Sequence, residues 1–140
     1  MSFKKIFVSV DASSQAAIVF EQALELAKKD AASLMLFHGI QVEAKITIRS
    51  DLETKTQQAQ ELLQSYQQKA KERGISVETS YRVGEPGSSI CNVAQSWGAD
   101  LIVLGRRGHR GITEVLLGSV SNYVLHHAPC SVLVVQGVAS

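Results

Sequence analysis

Residues 101–120, LIVLGRRGHRGITEVLLGSV, pass from an apolar run through a glycine-rich loop to the start of a helical pattern. The run Leu101–Leu104 is continuously apolar, which is typical of a strand that is buried on both faces of a parallel sheet. Glycines and arginines follow it directly, and a helix is expected to start near Ser119 and to end before Pro129. This stretch therefore predicts a strand, a loop and a helix, the repeating unit of an α/β fold.

The same alternation extends to both ends of the chain. Five short apolar runs predict strands at Ile6–Val10, Leu34–Phe37, Val77–Val83, Leu101–Leu104 and Val132–Val135. The first, fourth and fifth are nearly continuous in Val, Ile and Leu, so we expect these three strands to be buried on both faces. The third alternates apolar with polar residues, which predicts a strand at or near an edge of the sheet.

Apolar residues at helical spacing fill the gaps between these strands. In the first gap the stripe consists of Ala17, Phe20, Leu24 and Ala27, and Ser13 or Ser14 is the expected N-cap. In the second gap a capping box, Ser50-Asp51-Leu52-Glu53, precedes the stripe Ala59, Leu62, Leu63, Tyr66 and Ala70, and Gly74 ends the helix. The third helix is expected from Pro86 to Trp97, with Gly98 as its stop.

Strands and helices thus alternate from end to end, which is the signature of parallel α/β folds. The predicted fold class is α/β: an open, doubly wound, five-stranded parallel sheet with strand order 3-2-1-4-5 and helices on both faces. The length of 140 residues predicts a single domain, 1–140.

Composition excludes several classes of function. The formal net charge of +1 is too small for general attraction to nucleic acid. No apolar run approaches the ~20 residues of a membrane span, and Ile6–Val10 is too short for a secretory signal. A disulfide between Cys91 and Cys130 stays open, although two isolated thiols favour a reducing compartment. We therefore expect a cytoplasmic protein that binds neither nucleic acid nor membrane.

Two of the predicted strand ends carry residues that suit a ligand. The first strand ends at Asp11, and the fourth continues into Gly105. In the order 3-2-1-4-5 these strands are neighbours at the switch point, where open α/β sheets bind ligands, so Asp11 and the glycine loop would face each other across one crevice. Glycines let backbone N–H groups approach phosphate oxygens, and the helix that follows Gly118-Ser119 presents its positive end.

The two sides of this crevice differ in chemistry. The loop cations Arg106, Arg107, His109 and Arg110 could neutralise a polyphosphate, and Ser119 and Ser121 add hydroxyl donors. The Asp11 carboxylate would repel phosphate, so it suits ribose hydroxyls or an adenine amino group. Plainer interpretations stay open: a simple turn, solvated arginines, and Asp11 as the N-cap of the first helix.

The spacing Gly-x2-Gly-x9-Gly-Ser, with Gly105, Gly108, Gly118 and Ser119, resembles the universal stress protein family, as do FVSVDAS and APCSVLVV at the first and last strands. The resemblance covers the whole chain. This spacing defines the family's nucleotide-binding branch, so the resemblance implies a protein that binds ATP, with Mg²⁺ held mainly by phosphates and water. It also implies a homodimer through Val132–Val135, which would cover an open apolar edge.

Position by position, the resemblance implies three groups of contacts with the nucleotide. Asp11 lies at the nucleoside and the Ile40 backbone at the adenine. The phosphates are bound by Gly105, Arg107, Gly108, Gly118, Ser119, Val120 and Ser121. Ala12 is a mild departure, because the family usually has glycine or a similarly small residue there.

Three functions are compatible with these residues. The first is an ATP-binding regulatory or stress-response protein that acts as a nucleotide-dependent switch. The alternatives are a slow ATP hydrolase, for which Glu114 in the loop is an unconvincing base, and a dimeric interaction module that no longer binds nucleotide. Neither a Walker A loop nor a dinucleotide-binding Gly-x-Gly-x-x-Gly is present. His126 and His127 would point about 100° apart on a helix, so we expect no metal site there.

Overall fold

A computed structural model describes residues 2–41, 49–106 and 118–136 of the chain. Its elements in chain order are β1 Lys5–Ser9, α1 Ser14–Asp30, β2 Ser33–Ile40, α2 Arg49–Glu72, β3 Val77–Val83, α3 Pro86–Trp97, β4 Leu101–Gly105, α4 Ser119–His127 and β5 Ser131–Val135. The strands form one sheet in the order β3-β2-β1-β4-β5, and every neighbouring pair is parallel. The predicted fold class and strand order are confirmed.

The sheet separates two apolar layers, because alternate residues of each strand face opposite sides. Ile6 and Val8 of β1 pack with α1 and α2 on one face. Phe7, between them, packs with α3 and α4 on the other face. Helices therefore cover both faces, as predicted. Among the helices that the structure describes, none has the length and apolar character needed to cross a membrane.

Glycine and proline set the helix limits that the sequence predicted best. Helix α3 runs from Pro86 to Trp97, and Gly98 ends it with a left-handed φ of 83°. The capping box is wrong, because α2 begins at Arg49 and Ser50 lies inside the helix. Ala17 is also wrong as a core residue: it is exposed, and Ala16 is buried in its place.

The two edge strands differ in how well the sequence predicted them. β3 is an edge strand as expected, and the Arg82 guanidinium folds along it to donate to the Tyr81 carbonyl at 3.0 Å. The expectation that β5 is buried on both faces is wrong. None of its residues is buried, and Leu133 is 36% exposed. An edge strand lacks a neighbour on one side, so a continuous apolar run there leaves an uncovered border.

Helices α3 and α4 touch at a glycine. A methyl group at Gly87 would lie 2.8 Å from Cδ1 and 2.9 Å from Cγ of Tyr123, too close for either to remain in place. We expect Gly87→Ala to lower the free energy of unfolding by about 1–3 kcal/mol, the usual cost of overpacking. Urea denaturation measures this change.

Gly39→Ala is the matched control for that measurement. The same methyl group would meet its nearest atom at 3.6 Å there, an ordinary van der Waals distance. We expect the Gly39 variant to unfold within about 1 kcal/mol of the natural sequence. Equal destabilisation of both variants would contradict the close α3–α4 approach as the cause.

Candidate functional site

The carboxyl ends of β1 and β4 lie side by side at one edge of the sheet. Val8 pairs with Val103 in the parallel ladder between these strands. The chain reaches Asp11 three residues after Val8, and it reaches Gly105 two residues after Val103. The structure therefore brings Asp11 and the first glycine of the loop to the same end of neighbouring strands.

The two carboxylate oxygens of Asp11 have different surroundings. Oδ1 accepts a hydrogen bond of 2.8 Å from the Ser13 N–H, which makes a tight turn before α1. Oδ2 accepts no hydrogen bond from the part of the chain that the structure describes. The N-cap position of α1 belongs to Ser13, so the interpretation of Asp11 as the N-cap is wrong. Half-buried Asp11 thus holds one oxygen in place and presents the other.

The two ends of the glycine loop are tied together at their base. The Gly118 N–H donates to the Arg106 carbonyl at 2.9 Å, and the Arg106 N–H donates to the Val135 carbonyl at 3.0 Å. This second bond carries the ladder between β4 and β5 one residue past the strand. Arg107 and Gly108, together with His109, Arg110 and Glu114, lie outside the described residues.

Ser121 is a buried polar residue at this base, with an exposure of 2%. Its Oγ lies 2.9 Å from the Gly105 carbonyl and 2.6 Å from the Arg106 carbonyl. The hydroxyl has one proton, and both carbonyl oxygens within reach of it belong to the protein. The Ser121 side chain therefore points into the protein rather than to an external phosphate. The contact clamps the end of β4 to the first turn of α4.

The N-terminus of α4 opens at the same edge. Gly118 occupies the N-cap position with φ −68° and ψ 162°, and as a glycine it has no side chain that could cap the helix. Ser119 is exposed and Val120 is half-buried in the first turn. The N–H groups of a first turn have no acceptor within the helix, and the helix dipole makes this end positive. The arrangement suits an anion.

Ile40 is placed differently from the other predicted residues. Its side chain is buried, with an exposure of 3%. Its carbonyl accepts a hydrogen bond of 2.9 Å from the Gly84 N–H, which directs it towards β3. The structure therefore gathers Asp11, Gly105 and Gly118 around one edge, whereas the Ile40 carbonyl turns away from β1.

Sequence reasoning missed two residues beside Asp11. His38 donates a hydrogen bond of 2.8 Å from Nδ1 to the carbonyl of Val10, the residue directly before Asp11. Burial raises the pKa of the Tyr66 phenol, and the negative charge of Asp11 raises it further. The only signal for His38 in the sequence is a histidine at the carboxyl end of a buried strand.

The two cysteines do not form a disulfide; Cys91 is buried and Cys130 is half-buried. Burial raises the pKa of both thiols, and the charges of Asp100 and Cys91 raise that of Cys130 further. Raised pKa values disfavour the reactive thiolate. Within residues 2–41, 49–106 and 118–136, no group of three His, Cys, Asp or Glu could hold a metal ion.

Residues 2–136 match the model of the universal stress protein family. The universal stress protein Sll1388 of Synechocystis is 42% identical to this chain, over 97% of this chain and 99% of its own length. The structure of UspA from Lactobacillus plantarum has a TM-score of 0.86 and 29% identity, and the match covers 96% of this chain and 99% of that one.

A universal stress protein family protein from Arabidopsis thaliana, solved with AMP bound, has a TM-score of 0.74 and 23% identity. That match covers 97% of this chain and 93% of the Arabidopsis chain. At this identity the likeness concerns the fold alone.

Proposed function

The chain belongs to the universal stress protein family, and within it we propose that this member binds an adenine nucleotide, ATP with Mg²⁺, as a regulatory switch. One arrangement supports the proposal most. Asp11 follows β1, and the N-terminus of α4 is bonded through Gly118 to the end of the neighbouring strand β4. A nucleotide has hydroxyl and amino donors at one end and an anion at the other, so it complements both.

Different residues bind the nucleoside and the phosphates of the nucleotide. Asp11 accepts hydrogen bonds from the ribose or the adenine amino group. The first-turn N–H groups of Ser119 and Val120 bind the phosphates, together with Arg107 and Gly108 of the loop. Gly105 and Gly118 have no side chain, so they leave room for the phosphates to approach the backbone. Ser121 contributes its N–H group, while its side chain holds the end of β4 against the first turn of α4. Phosphates and water hold the Mg²⁺, and the magnesium neutralises part of the phosphate charge.

The ligand class has further support from architecture. The Arabidopsis protein holds AMP with this same fold, so the fold can accommodate an adenine nucleotide. The choice of ATP rests on the chain's own residues: the open helix end and the loop arginines offer more positive charge than a single phosphate requires. A nucleotide that binds at the base of this loop would act on the surface next to β5, because the Arg106 N–H bonds directly to the Val135 carbonyl.

We expect Asp11→Asn to weaken ATP binding about 10- to 100-fold, because a hydrogen bond to a charged group contributes roughly 1.5–3 kcal/mol. Asparagine keeps an acceptor for the Ser13 N–H, so the turn and the melting temperature should be preserved. Titration calorimetry measures the affinity, and mass spectrometry of the purified protein identifies any nucleotide that it retains.

Glu25→Gln is the control for that variant, since it removes the same charge from an exposed position in α1. Its ATP affinity should equal that of the natural sequence. A natural protein that neither retains nor binds any adenine nucleotide would refute the proposed function. It would favour the interaction module, which the open border of β5 also suits.

A further inference from the structure

The ladder between β1 and β2 ends in an unusual way. Its last backbone bond runs from the Val10 N–H to the Phe37 carbonyl at 2.9 Å. In a regular parallel ladder the next donor would be the N–H of the residue two positions on, Gly39, and its acceptor would be the Val10 carbonyl. The His38 imidazole donates to that carbonyl instead, from Nδ1 at 2.8 Å.

This bond fixes the peptide from which Asp11 extends. The Val10 carbonyl and the Asp11 N–H belong to one planar peptide unit, so holding the oxygen sets the orientation of the whole plane. The next constraint is the bond of 2.8 Å from the Ser13 N–H to Oδ1 of Asp11. Two consecutive bonds, both partly shielded from water, thus fix the backbone and then the side chain of Asp11.

We propose that His38 is a positioning residue for Asp11: through the Val10 carbonyl it holds the carboxylate oxygen Oδ2 in the direction that the nucleotide requires. This role rests on the proposed function. His38 acts through the backbone and does not touch the ligand itself. A site that is already ordered before binding loses less conformational freedom when the ligand arrives, so its affinity is higher.

Two substitutions separate this hydrogen bond from the size of the side chain. In His38→Asn the amide nitrogen takes the place of Nδ1 and keeps the donor. In His38→Leu the bulk is retained and the donor is lost. We expect His38→Leu to weaken ATP binding about tenfold in titration calorimetry, and His38→Asn to stay within about threefold of the natural protein. Equal losses in both variants, or no loss in His38→Leu, would overturn the proposal.

A double-mutant cycle tests whether His38 acts through Asp11. When Asp11→Asn has already removed the charged acceptor, His38→Leu should cause less than half of the loss, on a logarithmic scale, that it causes alone. A general structural role of His38 would instead give the full loss in both backgrounds, and that result would refute the positioning role.

A measurement without ligand keeps this inference separate from the proposed function. Hydrogen exchange of the Ser13 amide reports the bond to Asp11 Oδ1. We expect this amide to exchange faster in His38→Leu and at the natural rate in His38→Asn. If the natural protein binds no nucleotide while the exchange pattern holds, the proposed function fails but the positioning of Asp11 stands. Unchanged exchange in His38→Leu would overturn the positioning of Asp11.

Discussion

Gly118→Asp should lower the affinity for ATP about a thousandfold and leave the protein folded. Gly118 is the N-cap of α4 with φ −68° and ψ 162°, a conformation open to any residue, and aspartate is among the favoured N-cap residues. Its carboxylate would bond to the N–H groups that we assign to phosphate. Two like charges about 4 Å apart near a protein surface repel by roughly 4 kcal/mol, which corresponds to about three decades in affinity.

Gly118→Asn separates charge from size in this experiment. Asparagine has the same shape and also caps helices, but it carries no charge. We expect its ATP affinity in titration calorimetry to fall between those of the natural protein and Gly118→Asp, and both variants should melt at or above the natural temperature. Natural ATP affinity in Gly118→Asp would show that the phosphates do not bind at α4.

Leu133→Lys should convert into monomers the homodimer that the family resemblance implies through β5. Leu133 is the central residue of β5 and 36% exposed. A twofold axis through the middle of two paired β5 strands brings the two copies of this residue close together. Juxtaposed like charges at an interface cost several kcal/mol, so the dimer dissociation constant should rise at least about a hundredfold. Light scattering after size-exclusion chromatography measures the mass.

Val83→Lys provides the matched control on the opposite border of the sheet. Val83 is an apolar residue of the other edge strand and 46% exposed. The Arg82 guanidinium already places a positive charge on that strand, where it bonds to the Tyr81 carbonyl. A second cation at Val83 should therefore leave the mass of the particle unchanged. A dimer that survives Leu133→Lys but dissociates in Val83→Lys would place the interface on β3 instead.

Proline and glycine at element boundaries explain which parts of the fold the sequence predicted. Pro86 fixes its own φ at the start of α3, and Gly98 permits the left-handed conformation that ends it, so the limits of α3 were correct. The burial of β5 was wrong because a continuous apolar run has the same composition in a core strand and in an uncovered border strand. Ala17 was wrong because alanine is small enough for either side of a helix and carries little information about which side is buried.

The candidate site was predictable where topology alone determines it. Once the strand order is known, Asp11 and Gly105 must lie at the same edge of the sheet. Directions of individual groups were not predictable in this way. The Ile40 carbonyl bonds to Gly84, and His38 takes over a ladder position beside Val10. Both hydrogen bonds depend on the residue at which the backbone pairing of two neighbouring strands ends. The pattern of apolar and polar residues does not indicate that position.

The hydrogen bond from the Arg106 N–H to the Val135 carbonyl makes the base of the glycine loop and the tip of β5 one continuous backbone ladder. A shift of one of these peptides displaces the other. Thermodynamic linkage is reciprocal: whatever free energy a bound anion adds to the association of two β5 borders, association returns to the anion in full. The dimer dissociation constant would then change with the anion concentration, and the affinity for the anion would change with the protein concentration.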